Sequence, residues 1–130
     1  MHRNEPILLV EDNDLVRRFT QRLLTRGGYD VTAVATSEQA LTCLPGPALL
    51  LSDVSIGDEL AGPMLASEGR CRDPQLKVLL TTGHAPVVLQ EEGILEDLFS
   101  IIYKPYSKEQ LLAAVRGVLD GLEPLPRESW

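Results

Sequence analysis

Short apolar runs alternate with amphipathic stretches along this chain. Pro6-Ile7-Leu8-Leu9-Val10 is apolar at successive positions, the pattern of a strand buried on both faces of a sheet. It stops abruptly at Glu11-Asp12-Asn13-Asp14. Leu15, Phe19, Leu23 and Leu24 then fall on one side of a helical pattern, with Arg17, Arg18, Arg22 and Arg26 on the other. The expectation is a helix with its apolar residues inward, capped by Asp14 and ended by Gly27-Gly28. Tyr29–Ala35 alternates and is rich in β-branched residues, which predicts a second strand.

Thr36 or Ser37 caps a short helix reaching Leu44, where Pro45-Gly46-Pro47 breaks it. Ala48-Leu49-Leu50-Leu51-Ser52 is a third buried strand that ends at Asp53. A loop with Gly57 and Gly62 leads into a helix near Pro63–Arg70. Leu76–Thr81 is a fourth strand, followed by Thr82-Gly83, and residues from about 86 to 98 predict one irregular helix. Ser100–Tyr103 is the fifth strand and runs into Lys104-Pro105. Ser107-Lys108-Glu109-Gln110 is a capping box. The last helix carries Leu111, Leu112, Val115, Val118 and Leu119 at helical spacing. Five strands alternating with five helices predict an α/β fold, a parallel sheet covered on both faces. One domain is expected over residues 5–121, with 122–130 as a linker or loose tail.

Composition narrows the function. At 130 residues the chain fits one domain, and 44% hydrophobic residues are too many for a disordered chain. A net charge of −7 argues against nucleic acid as partner. The one basic cluster, the arginines of the first helix, reads as a solvated face. No apolar run reaches membrane-spanning length, and the first residues lack a signal-peptide profile, so a cytoplasmic protein without membrane insertion is expected. Cys43 and Cys71 lack metal spacing and read as two unpaired thiols.

In a parallel sheet of this kind, ligands bind beyond the carboxyl ends of the strands. There the first strand places Glu11 and Asp12, the third Asp53, the fourth Thr82 and the fifth Lys104. Crowded carboxylates repel one another, and a hard divalent cation relieves that repulsion. Mg²⁺ suits a site of few carboxylates, several waters and a phosphate oxygen. A carboxylate beside it can attack phosphorus, with Lys104 and Thr82 placed to meet the phosphoryl oxygens.

Val10-Glu11-Asp12, Leu51-Ser52-Asp53-Val54, Leu80-Thr81-Thr82-Gly83 and Tyr103-Lys104-Pro105 resemble, in order and spacing, the receiver domains of bacterial two-component response regulators. The likeness covers residues 5 to 120. It implies a doubly wound, flavodoxin-like sheet of order 2-1-3-4-5. It also implies that Asp53 accepts a phosphoryl group from the phosphohistidine of a sensor histidine kinase or phosphotransfer protein. Asp12, Asp53 and the Ser55 carbonyl would hold Mg²⁺, and Glu11 would act through water. Thr82 and Lys104 would contact the phosphoryl group, with a cis bond between Lys104 and Pro105. Ser55 and His84 flank the acceptor, where receivers tune phosphoryl lifetime. Output would pass to a downstream protein through the face of the fourth helix, fifth strand and fifth helix, with a homodimer as a further option. The resemblance implies a phospho-acceptor, with any kinase activity in another domain.

Two positions depart from the family pattern. The aromatic residue that couples to the threonine in the usual switch is Ile101 here, with Tyr103 on the same side of the strand. Many receivers have proline four residues beyond the acceptor; this chain has Gly57, which predicts a more mobile loop over Ser55–Gly62. The placement of Gly62 is similar to receivers attached to hybrid sensor kinases. Two alternatives stand beside this reading. One is a docking or dimerisation module of the same fold that works without phosphate. The other is a haloacid-dehalogenase-type phosphatase using Asp12-Asn13-Asp14, although no second acidic pair follows the last strand.

Overall fold

The computed structural model describes residues 4–57, 61–83 and 99–121. Its strands are β1 (Pro6–Val10), β2 (Asp30–Val34), β3 (Leu49–Asp53), β4 (Lys77–Thr82) and β5 (Ser100–Tyr103). Its helices are α1 (Asp14–Arg26), α2 (Ser37–Thr42), α3 (Gly62–Arg72) and α4 (Lys108–Leu119). The helix expected over residues 86–98 and the tail at 122–130 lie outside the described residues. All strand pairs are parallel and their order is β2-β1-β3-β4-β5, the doubly wound arrangement expected.

The central strands carry unbroken apolar runs, Ile7–Val10, Leu49–Leu51 and Val78–Leu80, because both faces are covered. Leu8, Val10, Leu50, Val78, Leu80 and Ile101 face one way, into a core completed by Ala40, Leu44, Leu65 and Ala66 from the α2 and α3 side. Ile7, Leu9, Leu49, Leu51, Leu79 and Ile102 face the other way, against Leu24 of α1 and Leu111, Val115 and Val118 of α4. The period-two alternation of strands is thus hidden in sequence, since both sets are apolar. Removing the buried part of such a leucine, as in Leu50→Ala, costs about 2–5 kcal/mol in comparable cores.

Local signals set the helix ends. Ser107 accepts from the Gln110 N–H at 3.0 Å while the Gln110 side chain accepts from the Ser107 N–H at 2.8 Å, so the capping box of α4 is complete. Thr36 caps α2 by accepting from the Gln39 N–H. In α1 the cap is Asn13, whose side chain accepts from the Val16 N–H at 3.0 Å. The expectation of Asp14 as cap is off by one. Asp14 is the first helical residue and pairs with Arg17.

The inward face of α1 also differs from expectation. Thr20 and Leu24 are buried, whereas Leu15 is 76% and Phe19 67% exposed. Two polar side chains turn toward the sheet because carbonyls there need donors. Arg17 Nη1 donates to the Glu11 carbonyl at 2.9 Å, and Gln21 Nε2 donates to the Val31 carbonyl at 3.5 Å. Arg18, Arg22 and Arg26 are exposed as expected.

The strand ends away from the acidic cluster are fastened by Arg116 of α4. Its guanidinium donates to Glu5 at 2.7 Å and to Asp120 at 2.9 Å, with the Tyr29 hydroxyl 3.4 Å away. Cys43 and Cys71 are both free thiols. Among the described residues, no helix is long and apolar enough to cross a membrane.

Candidate functional site

The register of the sheet assembles the site. Val10 pairs with Ser52, so Glu11 and Asp12 follow directly beside Asp53. Asp53 pairs with Thr81, which puts Thr82 one step further along β4. Thr82 pairs with Tyr103, and the Lys104 N–H donates to the Thr82 carbonyl at 2.7 Å, extending that ladder into the site. The Lys104–Pro105 bond is cis, as the family resemblance implied, and so is Leu44–Pro45.

Lys104 Nζ lies 2.7 Å from Asp53 Oδ2, a charge-assisted contact between two partly shielded groups. The other oxygen of Asp53, Oδ1, accepts from the Ser55 N–H at 3.1 Å. Asp12 Oδ2 accepts from the Gly57 N–H at 2.8 Å. Glu11 Oε2 accepts from the Asn13 N–H at 3.1 Å. Each carboxylate in the cluster therefore already has a donor within the chain.

Glu11 is 7% exposed, and burial pushes its pKa above the ordinary glutamate value. The Asn13 N–H opposes that shift, the charge of Asp53 and a contact with Asp12 add to it, and Lys104 opposes it. Burial would lower the pKa of Lys104, yet its hydrogen bond to Asp53 and the charges of Asp53 and Glu11 outweigh this and raise it. Tyr106, packed beneath, has its hydroxyl pKa raised chiefly by burial, with Lys104 opposing and the charges of Asp53 and Glu11 reinforcing. Among the described residues, the site is an acidic patch balanced by Lys104.

The donor set fits a hard cation in its chemistry: three carboxylates and nearby carbonyls at adjoining strand ends. No three acidic side chains of the described residues stand close enough to cage a metal ion as they are.

Thr82 is fully buried at the end of β4. Ile101 is buried in the core on the α2 and α3 side, and Tyr103 packs on that same core, as strand alternation requires. The Tyr103 hydroxyl is buried with no hydrogen-bond partner among the described residues. His84 and the switch helix expected after it lie outside the described residues.

Three roles escaped the sequence reading. Gly57, read there as a source of looseness, holds Asp12 through its N–H. Arg17, read as solvated, clasps the carbonyl of Glu11. Gly62 packs so closely on the acceptor strand that a Cβ there would run into the Asp53 carbonyl oxygen and lie 2.9 Å from Val54 Cα. The Gly62 N–H also donates to the Val54 carbonyl at 2.9 Å. Only the glycine in the loop before α3 hinted at this close approach.

Sheet order and strand-end chemistry are those of a doubly wound α/β domain with an acidic site at the carboxyl edge of its sheet. The family described as the response regulator receiver domain matches residues 7–116, and this chain belongs to it. The chain is 31% identical over 115 residues to the response regulator receiver protein CpdR of Brucella abortus, covering 87% of this chain and 95% of that protein. It is 33% identical over 118 residues to the sensor kinase CckA of the same organism, covering 88% of this chain but 12% of the kinase. With the transcriptional regulatory protein GlrR of Escherichia coli it shares 27% over 131 residues, 99% of this chain and 29% of the regulator. The chain thus spans a minor part of the multidomain relatives. A response regulator receiver protein from Sinorhizobium medicae superposes with a TM-score of 0.76 at 26% identity, covering 91% of this chain and 96% of that one. As a receiver, the chain acts in two-component signal transduction. Neither the phosphatase nor the phosphate-independent module finds support.

Proposed function

We propose that Asp53 is the phosphoryl acceptor, with Glu11, Asp12, Asp53 and the Ser55 carbonyl holding Mg²⁺ and with Lys104 and Thr82 meeting the phosphoryl group. The observation that carries this reading is the 2.7 Å contact between Lys104 and Asp53 inside an acidic cluster. A lysine spent on one surface ion pair contributes little to stability, but at a reacting carboxylate it meets charge as it develops.

An Asp53 carboxylate oxygen attacks the phosphorus of a phosphohistidine. The phosphorus–nitrogen bond breaks, the imidazole nitrogen leaves with the electron pair, and an acyl phosphate forms on Asp53. Lys104 moves its contact from the carboxylate to a phosphoryl oxygen. Thr82 donates its hydroxyl to another, which requires it to turn from its buried position. Mg²⁺, when bound, supplies positive charge that offsets the crowding of phosphoryl and carboxylate oxygens. Ser55 and His84 border the attacked phosphorus and set how readily water removes the phosphoryl group.

The chain's partner upstream is a sensor histidine kinase or phosphotransfer protein. Downstream, phosphorylation shifts a surface equilibrium around the segment before β5, β5 itself and α4. With Ile101 where the switch aromatic stands in relatives, position 101 itself offers no aromatic swing, and Tyr103 on the same side of β5 is the residue to test for that role. The domain performs no turnover of other substrates and works in the cytoplasm.

Incubation with Mg²⁺ and acetyl phosphate, followed by intact-mass measurement, tests this. One added phosphoryl mass, absent in Asp53→Asn and absent with chelator, is expected. A phosphoryl mass retained in Asp53→Asn would place the acceptor elsewhere.

A further inference from the structure

The large apolar side chains left in water gather at two places. Among the described residues they are Leu15, Val16 and Phe19 on α1 and Met64 on α3. Leu15 is 76% exposed and Phe19 67%, and Arg22 and Arg26 continue the same helical face. Arg22, Arg26 and Lys108 of α4 also line a groove of about 340 Å³ with Leu23 and Leu112. None of these three cations makes an ion pair among the described residues. The α1 face is thus an apolar ridge flanked by positive charge.

Met64 stands on the other side of the sheet, in the wall of a groove of about 440 Å³ between α2 and α3. Leu41, Ile56 and Leu65 line the groove as well. Carboxylates border it: Glu38 from α2, Glu68 from α3 and Asp12 beyond the end of β1. Among the described residues Glu38 makes no ion pair, and Glu68 has Arg72 at 3.5 Å. This surface is an apolar slot bordered by negative charge.

We propose that the two surfaces fit each other between copies of this chain: the α1 face of one copy, led by Phe19, seats in the α2–α3 groove of the next, with Arg22 and Arg26 meeting Glu38 and Glu68. An apolar helix face laid into an apolar groove is a recurring mode of recognition, and opposite charges around it fix the partner. A chain of net charge −7 repels its own kind, so self-association needs a contact that brings opposite signs together. The ridge and the slot lie on opposite faces of the sheet, α1 and α4 covering one and α2 and α3 the other. The contact is therefore head-to-tail. Each copy that joins leaves a ridge and a slot free, and the series stays open. A contact confined to one helix face and one groove belongs with the small, transient interfaces, so association is weak.

Sedimentation of the unphosphorylated protein in chelator, over concentrations reaching the millimolar range, tests this. The parent's mean mass is expected to rise past that of two copies. Arg22→Glu with Arg26→Glu reverses the ridge, and Glu38→Lys with Glu68→Lys reverses the slot. Each variant alone should associate more than about tenfold more weakly, because like charges then face each other. Mixed in equal amounts, the two variants present opposite charges to one another and should regain the parent's association. A parent that stays single, a parent that stops at two copies, or a mixture that stays apart overturns the proposal. None of the four residues touches Asp53, so both variants should still take one phosphoryl mass from acetyl phosphate, which shows that each is folded. Loss of the assembly with that uptake intact leaves the receiver reading standing. Should one variant fail to fold, the parent's amides decide: shifts with concentration are expected at both Phe19 and Met64, and movement at one or neither overturns the contact.

Discussion

Lys104 and Asp53 are 51 positions apart in the chain and 2.7 Å apart in space, joined because β1, β3, β4 and β5 end on one edge of the sheet. The pair predicts a split between two substitutions. Asp53→Asn abolishes phosphorylation and leaves an uncompensated lysine. Lys104→Ala keeps the nucleophile but removes the cation facing it. Losing such a preorganised group slows comparable reactions by about 10²- to 10³-fold. A time course with acetyl phosphate should show slow but finite modification of Lys104→Ala and none of Asp53→Asn; equal rates for Lys104→Ala and the parent would remove the lysine from the chemistry.

Glu11 predicts an inverted pH response. Burial raises its folded-state pKa above the unfolded value of 4.5. Between those two values the folded protein binds more protons than the unfolded chain, so stability falls as pH rises through that window. In chelator, Glu11→Gln should lose this dependence and match or exceed the parent above the window, with no advantage below pH 4.5. Thermal melts of both proteins across that window, taken as a difference, isolate the one carboxylate. A difference that does not change with pH would contradict the assignment.

Gly62 and Gly69 both sit in α3 and should respond unequally to alanine. At Gly62 the new Cβ meets backbone, the Asp53 carbonyl and Val54 Cα, neither of which can move without shifting the acceptor strand. Overpacking of this kind costs about 1–3 kcal/mol. At Gly69 the nearest atoms are the side-chain ends of Leu76 at 3.0 Å and Leu44 at 3.2 Å, which can turn aside. There the gain in helix propensity of about 1 kcal/mol offsets the crowding. Urea unfolding of the two variants should place Gly62→Ala well below the parent and Gly69→Ala close to it.

Tyr103 carries a buried hydroxyl with no partner among the described residues. An unsatisfied buried hydroxyl costs about 1–3 kcal/mol, so Tyr103→Phe should stabilise the unphosphorylated protein, by about 1 kcal/mol after relaxation. If Tyr103 takes over the role of the aromatic missing at position 101, its hydroxyl finds a partner in the phosphorylated state. The variant's stability gain should then shrink once Asp53 is phosphorylated. A gain unchanged by phosphorylation makes Tyr103 a packing residue only.

The strands and the acidic edge were legible because both depend on local pattern. Runs such as Leu49-Leu50-Leu51 are apolar on both faces, and Asp53, Thr82 and Lys104 stand where such runs stop. The inward face of α1 was not legible, because Arg17 and Gln21 turn inward to carbonyls supplied by other elements. Composition marks those residues as solvated; only the tertiary neighbours show what they satisfy. The contact of Gly57 with Asp12 was not legible for a related reason. The glycine's conformational freedom is visible in sequence, while the carboxylate its N–H reaches is 45 positions away.

At the opposite edge, Arg116 gathers Glu5 and Asp120 onto one guanidinium. The polypeptide therefore enters and leaves the described fold at adjoining points, and both lie behind the sheet relative to Asp53. A domain with neighbouring entry and exit behaves as a cassette: it can be spliced into a longer chain, or hung from either end, while the phosphoryl-accepting edge still faces outward. That wiring suits a unit whose relatives include a protein of nearly its own length and a kinase of which it matches 12%.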